Sequence, residues 1–384
     1  VTRDVFQLEL DKRSVVKYRS NPTTGLADIY NDTFRSQINQ NLTIPTSGMY
    51  KWRKALANMR SGVSSARIVF VGDSTTRGDS DGPTDFAAAA PIVAASILTS
   101  KGLPTGADSF FGVGGLTTLT GNDSRFALTG AWVQTGTYSM LGGKSFKTTA
   151  AGTMSFTPTG VFDRIDVYYS TQAIAGTATV NVDGGASLGT INFNAANGYT
   201  KQTFTVASGT HTVNVVWASG EARISGIHCY TAASRVEMLN VSVCGGMSNL
   251  MQDAANVWSP ANAFAYLTPH LTIIDLGIND WKNSVPVSTY ITNLTGIADL
   301  AVAAGSDVVL KTPVYDGNSA YSVQEPYVAA AKEWAIDLGY PILDLRNAWN
   351  NVDKLTDIGF SDGGVHPTKL GYKDIGAIIA SSIF

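Results

Sequence analysis

Between an apolar run at residues 67–71 and the next at Val236–Val243 lie about 165 residues, far more than one strand-to-strand crossover requires. The C-terminal half, by contrast, alternates at ordinary spacing. Apolar runs at Val236–Val243, Leu271–Leu276, Asp307–Lys311 and Pro341–Leu345 are separated by helical patterns at Val287–Ala304 and Val323–Leu338, and Lys369–Ile383 closes the chain. With residues 67–71 these make five strands joined by crossovers, hence an α/β domain built on a five-stranded parallel doubly wound sheet. The long gap must then hold something else. Part of it, Thr84–Lys101, reads as a helix.

The remainder changes character. From Thr129 to Arg235 only ten residues are charged, and β-branched or aromatic runs recur at Thr153–Thr157, Arg164–Ser170, Thr177–Val182, Gly189–Phe193, Gln202–Val206 and Thr210–Trp217. Turn signals such as Asp183-Gly-Gly185 and Ser208-Gly209 separate them. Short strands between polar turns predict an inserted β-sandwich or jelly-roll-like domain over 120–233. A long insertion at a surface loop costs little closure entropy, so the topology is physically reasonable. The α/β domain is thereby split into 49–119 and 234–384, and residues 1–48 form an extension or linker with one short helix expected at Ala27–Gln37. Tyr50–Arg60 reads as an amphipathic helix leading into the first strand.

Four motifs fall at the carboxyl ends of these strands, where ligands bind in open α/β sheets. Val71-Gly72-Asp73-Ser74 places a serine where strand turns to helix, the usual position of an exposed nucleophile. Asp362-Gly-Gly-Val-His366 supplies a base with a carboxylate upstream. Asn240-Val-Ser-Val-Cys-Gly245 and Gly277-Ile-Asn279-Asp280 supply a backbone N–H and a side-chain amide suited to an oxyanion. Asp73 and Asp280 are expected to fix loop geometry. Gly246 and the Gly112-Val-Gly-Gly115 run are alternatives to Gly245, and Asp357 is a second candidate for the carboxylate.

At residues 66–78 and 236–384 the chain resembles the SGNH hydrolases, the GDSL-like esterase superfamily, through Ser74, Gly245, Asn279 and His366. The resemblance implies a flavodoxin-like fold and a serine esterase. Ser74 would be nucleophile, His366 base, Asp362 its orienting acid, and Ser74, Gly245 and Asn279 the oxyanion hole. That family places its aspartate three residues before the histidine; here Gly363 occupies the position and Asp362 stands four before. Trp281 and Met247 are expected near the acyl pocket. The inserted β-domain is similar in architecture to that of carbohydrate-active esterases, including some bacteriophage tail-spike deacetylases. The implied substrate is therefore an O-acetylated carbohydrate, with a general lipase, thioesterase or aryl-esterase, or a glycan-binding virion adhesin, as alternatives. Trp132, Tyr138, Tyr168, Tyr169 and Trp217 are candidates for stacking on sugars or for sandwich core.

Composition narrows the partners. Net charge is −3 and no basic stripe is visible, which argues against nucleic acid. The longest apolar stretch, Phe86–Leu98, is too short to span a bilayer. Charged residues make up only 15% of the chain, against about 25% in ordinary globular proteins, which suits an extracellular or virion-associated setting. The four histidines have no metal-ligand spacing, and no cofactor or metal is expected. Gly143-Lys144-Ser145 lacks the earlier glycine of a phosphate loop. Cys229 and Cys244 are read as two buried thiols, with a disulfide as the other possibility.

Overall fold

The computed structural model describes residues 7–9, 15–20, 27–30, 42–43, 48–79, 89–112, 123–349 and 352–384. Its central sheet runs in the order 42–43, 342–343, 307–311, 271–275, 66–72, 236–240, 105–106. The five expected strands are parallel and adjacent in it, with Thr105–Gly106 added at one edge and the antiparallel pair Leu42–Thr43 at the other. Every residue of Ala66–Gly72 is buried. An uninterrupted apolar run is what a strand covered on both faces requires. This strand is the pivot of the winding: the chain leaves it for Val236–Asn240 on one side and returns to Leu271–Asp275 on the other.

Helices cover both faces. Val287–Ala303 buries Tyr290, Leu294, Ile297, Ala298 and Ala301, an i, i+4, i+7, i+8, i+11 stripe. Lys369–Ser382 starts at Thr368, whose hydroxyl accepts the Gly371 N–H. It packs on Ala90–Ser100, with Gly376 against Val93. The expected helix at Thr84–Lys101 is realised from Ala90; residues 84–88 lie outside the described residues.

The insert is two antiparallel sheets. One runs 198–209, 162–171, 222–230, 143–148, 133–140, and the other 189–192, 177–182, 213–219, 152–156, 126–130. Alternate residues Ile165, Val167 and Tyr169 of the first face Met154, Phe156, Val180 and Val215 of the second in a core of their own. On the opposite face of the first sheet, Tyr168 and Tyr199 join the core of the α/β domain. The sheet also recruits Ser109–Phe111, paired with Ala222–Tyr230, upstream of residue 120.

Several expectations change. Ala27–Tyr30 is a strand, paired antiparallel with Val15–Ser20, so cross-strand pairing overrides the helical pattern; residues 31–37 lie outside the described residues. Trp132, Tyr168 and Tyr169 are buried and unavailable to a sugar. Trp217 is half-buried with its indole N–H on the Gly220 carbonyl. The side chain of Tyr138 lies outside the described residues. Cys229 and Cys244, by contrast, are the two free, buried thiols expected.

Trp52 clamps the first helix to the end of the chain. Its side chain is fully buried, its indole N–H donates to Ile383 O at 2.9 Å and its ring meets Phe384 edge-on. Trp52→Ala should cost about 3–5 kcal/mol, read as a lower urea midpoint; an unshifted midpoint would contradict this role.

Candidate active site

Three neighbouring strands deliver three loops to one place. Gly72 ends the middle strand at a close approach: a Cβ there would lie 2.5 Å from Thr76 Oγ1 and 2.9 Å from Asp275 O. Only a bare Cα lets the chain turn so tightly. Asp73 then caps a single helical turn, Ser74–Arg77, its Oδ1 accepting the Thr75 N–H and hydroxyl at 2.8 Å each. Ser74, at the first helical position, has an N–H that the helix itself does not use.

From the strand on one side, pairing continues past Asn240. Val241 and Val243 donate to Phe70 O and Gly72 O at 3.0 Å. Gly246 N–H returns to Val243 O at 2.8 Å, closing a turn in which Gly245 has φ 73°. That left-handed backbone favours glycine, and Gly245 is exposed at its crest. From the other side comes Asn279, whose Nδ2 donates to Gly246 O at 3.1 Å and so ties the two loops together. Beneath them Asp280 is buried and accepts the Ser248 hydroxyl at 2.6 Å and its N–H. Burial pushes its carboxyl up to about 6. Asp280 thus pins the loop carrying Gly245, Gly246 and Met247.

His366 arrives from the far end of the chain. Its Nε2 lies 2.8 Å from Ser74 Oγ across 292 residues of sequence. With Nε2 unprotonated the hydroxyl donates to it, the geometry a general base needs. The loop before it is shaped by short contacts. Asp362, exposed, accepts the Gly364 N–H at 3.1 Å, and Gly363 adopts φ 92°. A second carboxylate, Asp79, stands with Oδ2 3.8 Å from His366 Nε2. Nothing in the sequence singled out Asp79 beyond its place five residues after the nucleophile.

Two expected substrate contacts separate. Met247 is half-buried immediately before the helix Ser248–Gln252, on the oxyanion-type loop itself. Trp281 is only 2% exposed, its indole N–H on Asp316 Oδ2 at 3.2 Å. It therefore supports the Asn279 loop from inside. Asp316, absent from the sequence reading, also holds Ser319, and Gly317 next to it donates to Gly364 O at 2.9 Å, bracing the His366 loop. Gly112 lies elsewhere: its carbonyl accepts from the buried Arg77 guanidinium, while residues 113–115 fall outside the described residues. Asp357, at the end of the helix Val352–Asp357, is exposed. Among the described residues no group of three or more His, Cys, Asp or Glu could hold a metal ion, and no helix is long and apolar enough to cross a membrane.

Residues 222–373 match the family model of the GDSL-like lipase/acylhydrolase family. The match takes in Gly245, Asn279 and His366; Ser74 lies upstream and joins them through the contact with His366. No curated protein matches the chain. Among solved structures, a peptidoglycan O-acetylesterase is similar with a TM-score of 0.67 at 17% identity, covering 89% of this chain and 97% of that one. A family two carbohydrate esterase from Cellvibrio japonicus gives a TM-score of 0.29 at 12% identity, over 71% and 96% of the two chains. A psychrotrophic esterase from Pseudoalteromonas sp. gives 0.31 at 21% identity, over 39% and 78%. The first likeness bears on the fold; the other two, at those scores, bear on nothing further.

The two carboxylates near His366 make different predictions. Asp362→Asn keeps an acceptor for the Gly364 N–H and should lower kcat less than about tenfold. Asp79→Asn removes a charge that would stabilise the imidazolium, and at 3.8 Å should cost about tenfold or more. Steady-state kinetics on a small aryl acetate would separate them, and a larger loss in Asp362→Asn would restore Asp362 as the acid that orients the imidazole.

Proposed function

We propose, from the premise that the chain carries a GDSL-like lipase/acylhydrolase domain and is a serine ester hydrolase, that it removes O-acetyl groups from a carbohydrate. The observation that carries the mechanism is the 2.8 Å contact of Ser74 Oγ with His366 Nε2. Ser74 attacks the ester carbonyl while His366 takes its proton, and the same proton passes to the departing sugar oxygen. Water, deprotonated by His366, then attacks the acetyl-enzyme; the bond to Ser74 Oγ breaks, His366 returns the proton to that oxygen, and acetate leaves. At each tetrahedral stage the negative oxygen lies against the N–H of Ser74, the N–H of Gly245 and the amide of Asn279. Asn279 already donates to Gly246 O, so its amide is held at the loop before substrate arrives. Asp362 acts through the turn that presents His366.

The substrate class rests on what surrounds the site. An acetyl group is small, and with Trp281 buried the half-buried Met247 is the apolar contact that the described loops offer it. Beyond the His366 loop, the exposed Tyr321 stacks on Tyr315 with centroids 6.4 Å apart, and with the Arg346 guanidinium 4.1 Å over the Tyr315 ring it is Tyr321 that offers a face to a sugar ring. The glycan reading also fits an extracellular or virion-associated setting, where acetylated polysaccharides are met.

Asn279→Ala should lower kcat by roughly 10²–10³ with KM little changed, because an oxyanion donor acts on charge that develops in the transition state. A kcat within about threefold of the parent would reject the role. Acetate release from a panel of acetylated polysaccharides, set against hydrolysis of longer acyl esters, tests the substrate. Preference for butyryl or octanoyl esters would favour a general lipase or thioesterase instead.

A further inference from the structure

One turn, residues 313–319 after the strand Asp307–Lys311, touches both halves of the site. On one side the buried Asp316 carboxylate receives the Asn279 loop. Its Oδ1 accepts the Asn318 N–H at 2.9 Å, and its Oδ2 accepts the Ser319 hydroxyl and, at 3.2 Å, the Trp281 indole N–H. Lys282 Nζ stands 3.8 Å from the same oxygen. Trp281 and Lys282 belong to the short helix Ile278–Lys282 that also carries Asn279, so Asp316 fixes how that helix is turned. On the other side Gly317 donates to Gly364 O at 2.9 Å. A Cβ on Gly317 would fall 2.0 Å from Gly363 O and 2.7 Å from the Gly363 carbonyl carbon. Backbone atoms cannot swing aside as a side-chain tip does, so this close approach requires glycine. Gly363 and Gly364 lead directly into His366.

The turn is itself anchored from behind. Gln324, 2% exposed, accepts the Asp316 N–H at 3.2 Å and donates to the Asp316 carbonyl at 2.7 Å. Arg346, 5% exposed, donates to Gln324 Oε1 at 2.8 Å and to Pro313 O at 3.0 Å. Buried side chains linked in this way hold one arrangement.

We infer that Asp316 and Gly317 are positioning residues for the ester hydrolysis proposed above, a role that rests on that reading. Gly317 sets where His366 stands by letting the Gly363–Gly364 backbone close against it. Asp316 sets where the Asn279 amide points, through Trp281. Because the two are adjacent in one anchored turn, the base and the oxyanion donor keep a fixed separation although their loops lie far apart in sequence. Neither residue acts on substrate itself; each acts through the group it holds.

The test is a set of mutant cycles on the full chain, read by hydrolysis of p-nitrophenyl acetate. Gly317→Ala should lower kcat about ten- to a hundredfold with KM little changed, since a displacement of about 1 Å costs a reacting group on that order. The same factor should appear in an Asn279→Ala background. It should be absent from the residual hydrolysis of His366→Ala, where the group that Gly317 serves is gone. Trp281→Phe removes the indole N–H and keeps a ring. It should lower kcat about tenfold, within the roughly 10²–10³ that an oxyanion donor supplies. Once Asn279 is alanine, Trp281→Phe should cost nothing further. A general loosening of the fold would instead lower the rate in every background. A Gly317→Ala kcat within about threefold of the parent, or a loss that persists where the served group has been removed, would overturn the inference. Should Gly317→Ala fail to fold, the cycle of Trp281→Phe with Asn279→Ala decides: a loss that survives in the double variant overturns it. Failure of the esterase reading is seen separately, as hydrolysis that survives Ser74→Ala.

Discussion

The site depends on the parallel pairing of Ala66–Gly72 along both its edges. Val236–Asn240 and Leu271–Asp275 are locked to it in register, so the ends of three strands, and the three loops that follow, are level with one another. The pairing works only because Gly72 has no side chain to keep Thr76 and the Asp275 carbonyl away. Geometry that a loop enzyme needs to within a fraction of an ångström is thereby inherited from the stiffest part of the molecule.

A single guanidinium extends that frame to the insert. Arg77, 6% exposed at the end of the nucleophile's helical turn, donates to Phe111 O at 2.7 Å, Gly112 O at 3.0 Å and Ser242 O at 3.4 Å. Those carbonyls belong to the entry into the β-domain and to the loop that carries Gly245. Buried charge costs free energy unless such bonds are made, so Arg77 holds the three segments together at the point where a long insertion would otherwise be free to swing. Tyr168 and Tyr199, turned from the insert into the α/β core, add an apolar seam to the same junction.

What the sequence made legible follows the physics of each element. The parallel strands appear as uninterrupted apolar runs, and the helices after residue 286 as 3.6-residue stripes, because burial alone dictates both. The insert was legible as a class, yet Val133–Met140 and Gly143–Thr148 were not read as strands. They are rich in glycine and polar residues, and their neighbours in the sheet supply the pairing. Ala27–Tyr30 misled for the same reason. At the site, residue types at strand ends pointed to Ser74, Gly245, Asn279 and His366, but adjacency could not say which way a side chain turns. Trp281, two residues after Asn279, faces inward to Asp316. Asp79 and Asp316 reach the His366 region only through folding, and no local pattern announces them.

The central claim is that Ser74 is the nucleophile that carries the acyl group. Its most direct test is covalent: the protein is treated with an alkyl phosphonate ester, and the adduct is weighed intact and mapped by peptide mass spectrometry. The expected result is one phosphonyl group on Ser74, formed at the rate at which esterase activity is lost, with no adduct on the Ser74→Ala protein. An adduct on another residue, or ester hydrolysis surviving in Ser74→Ala, would contradict it.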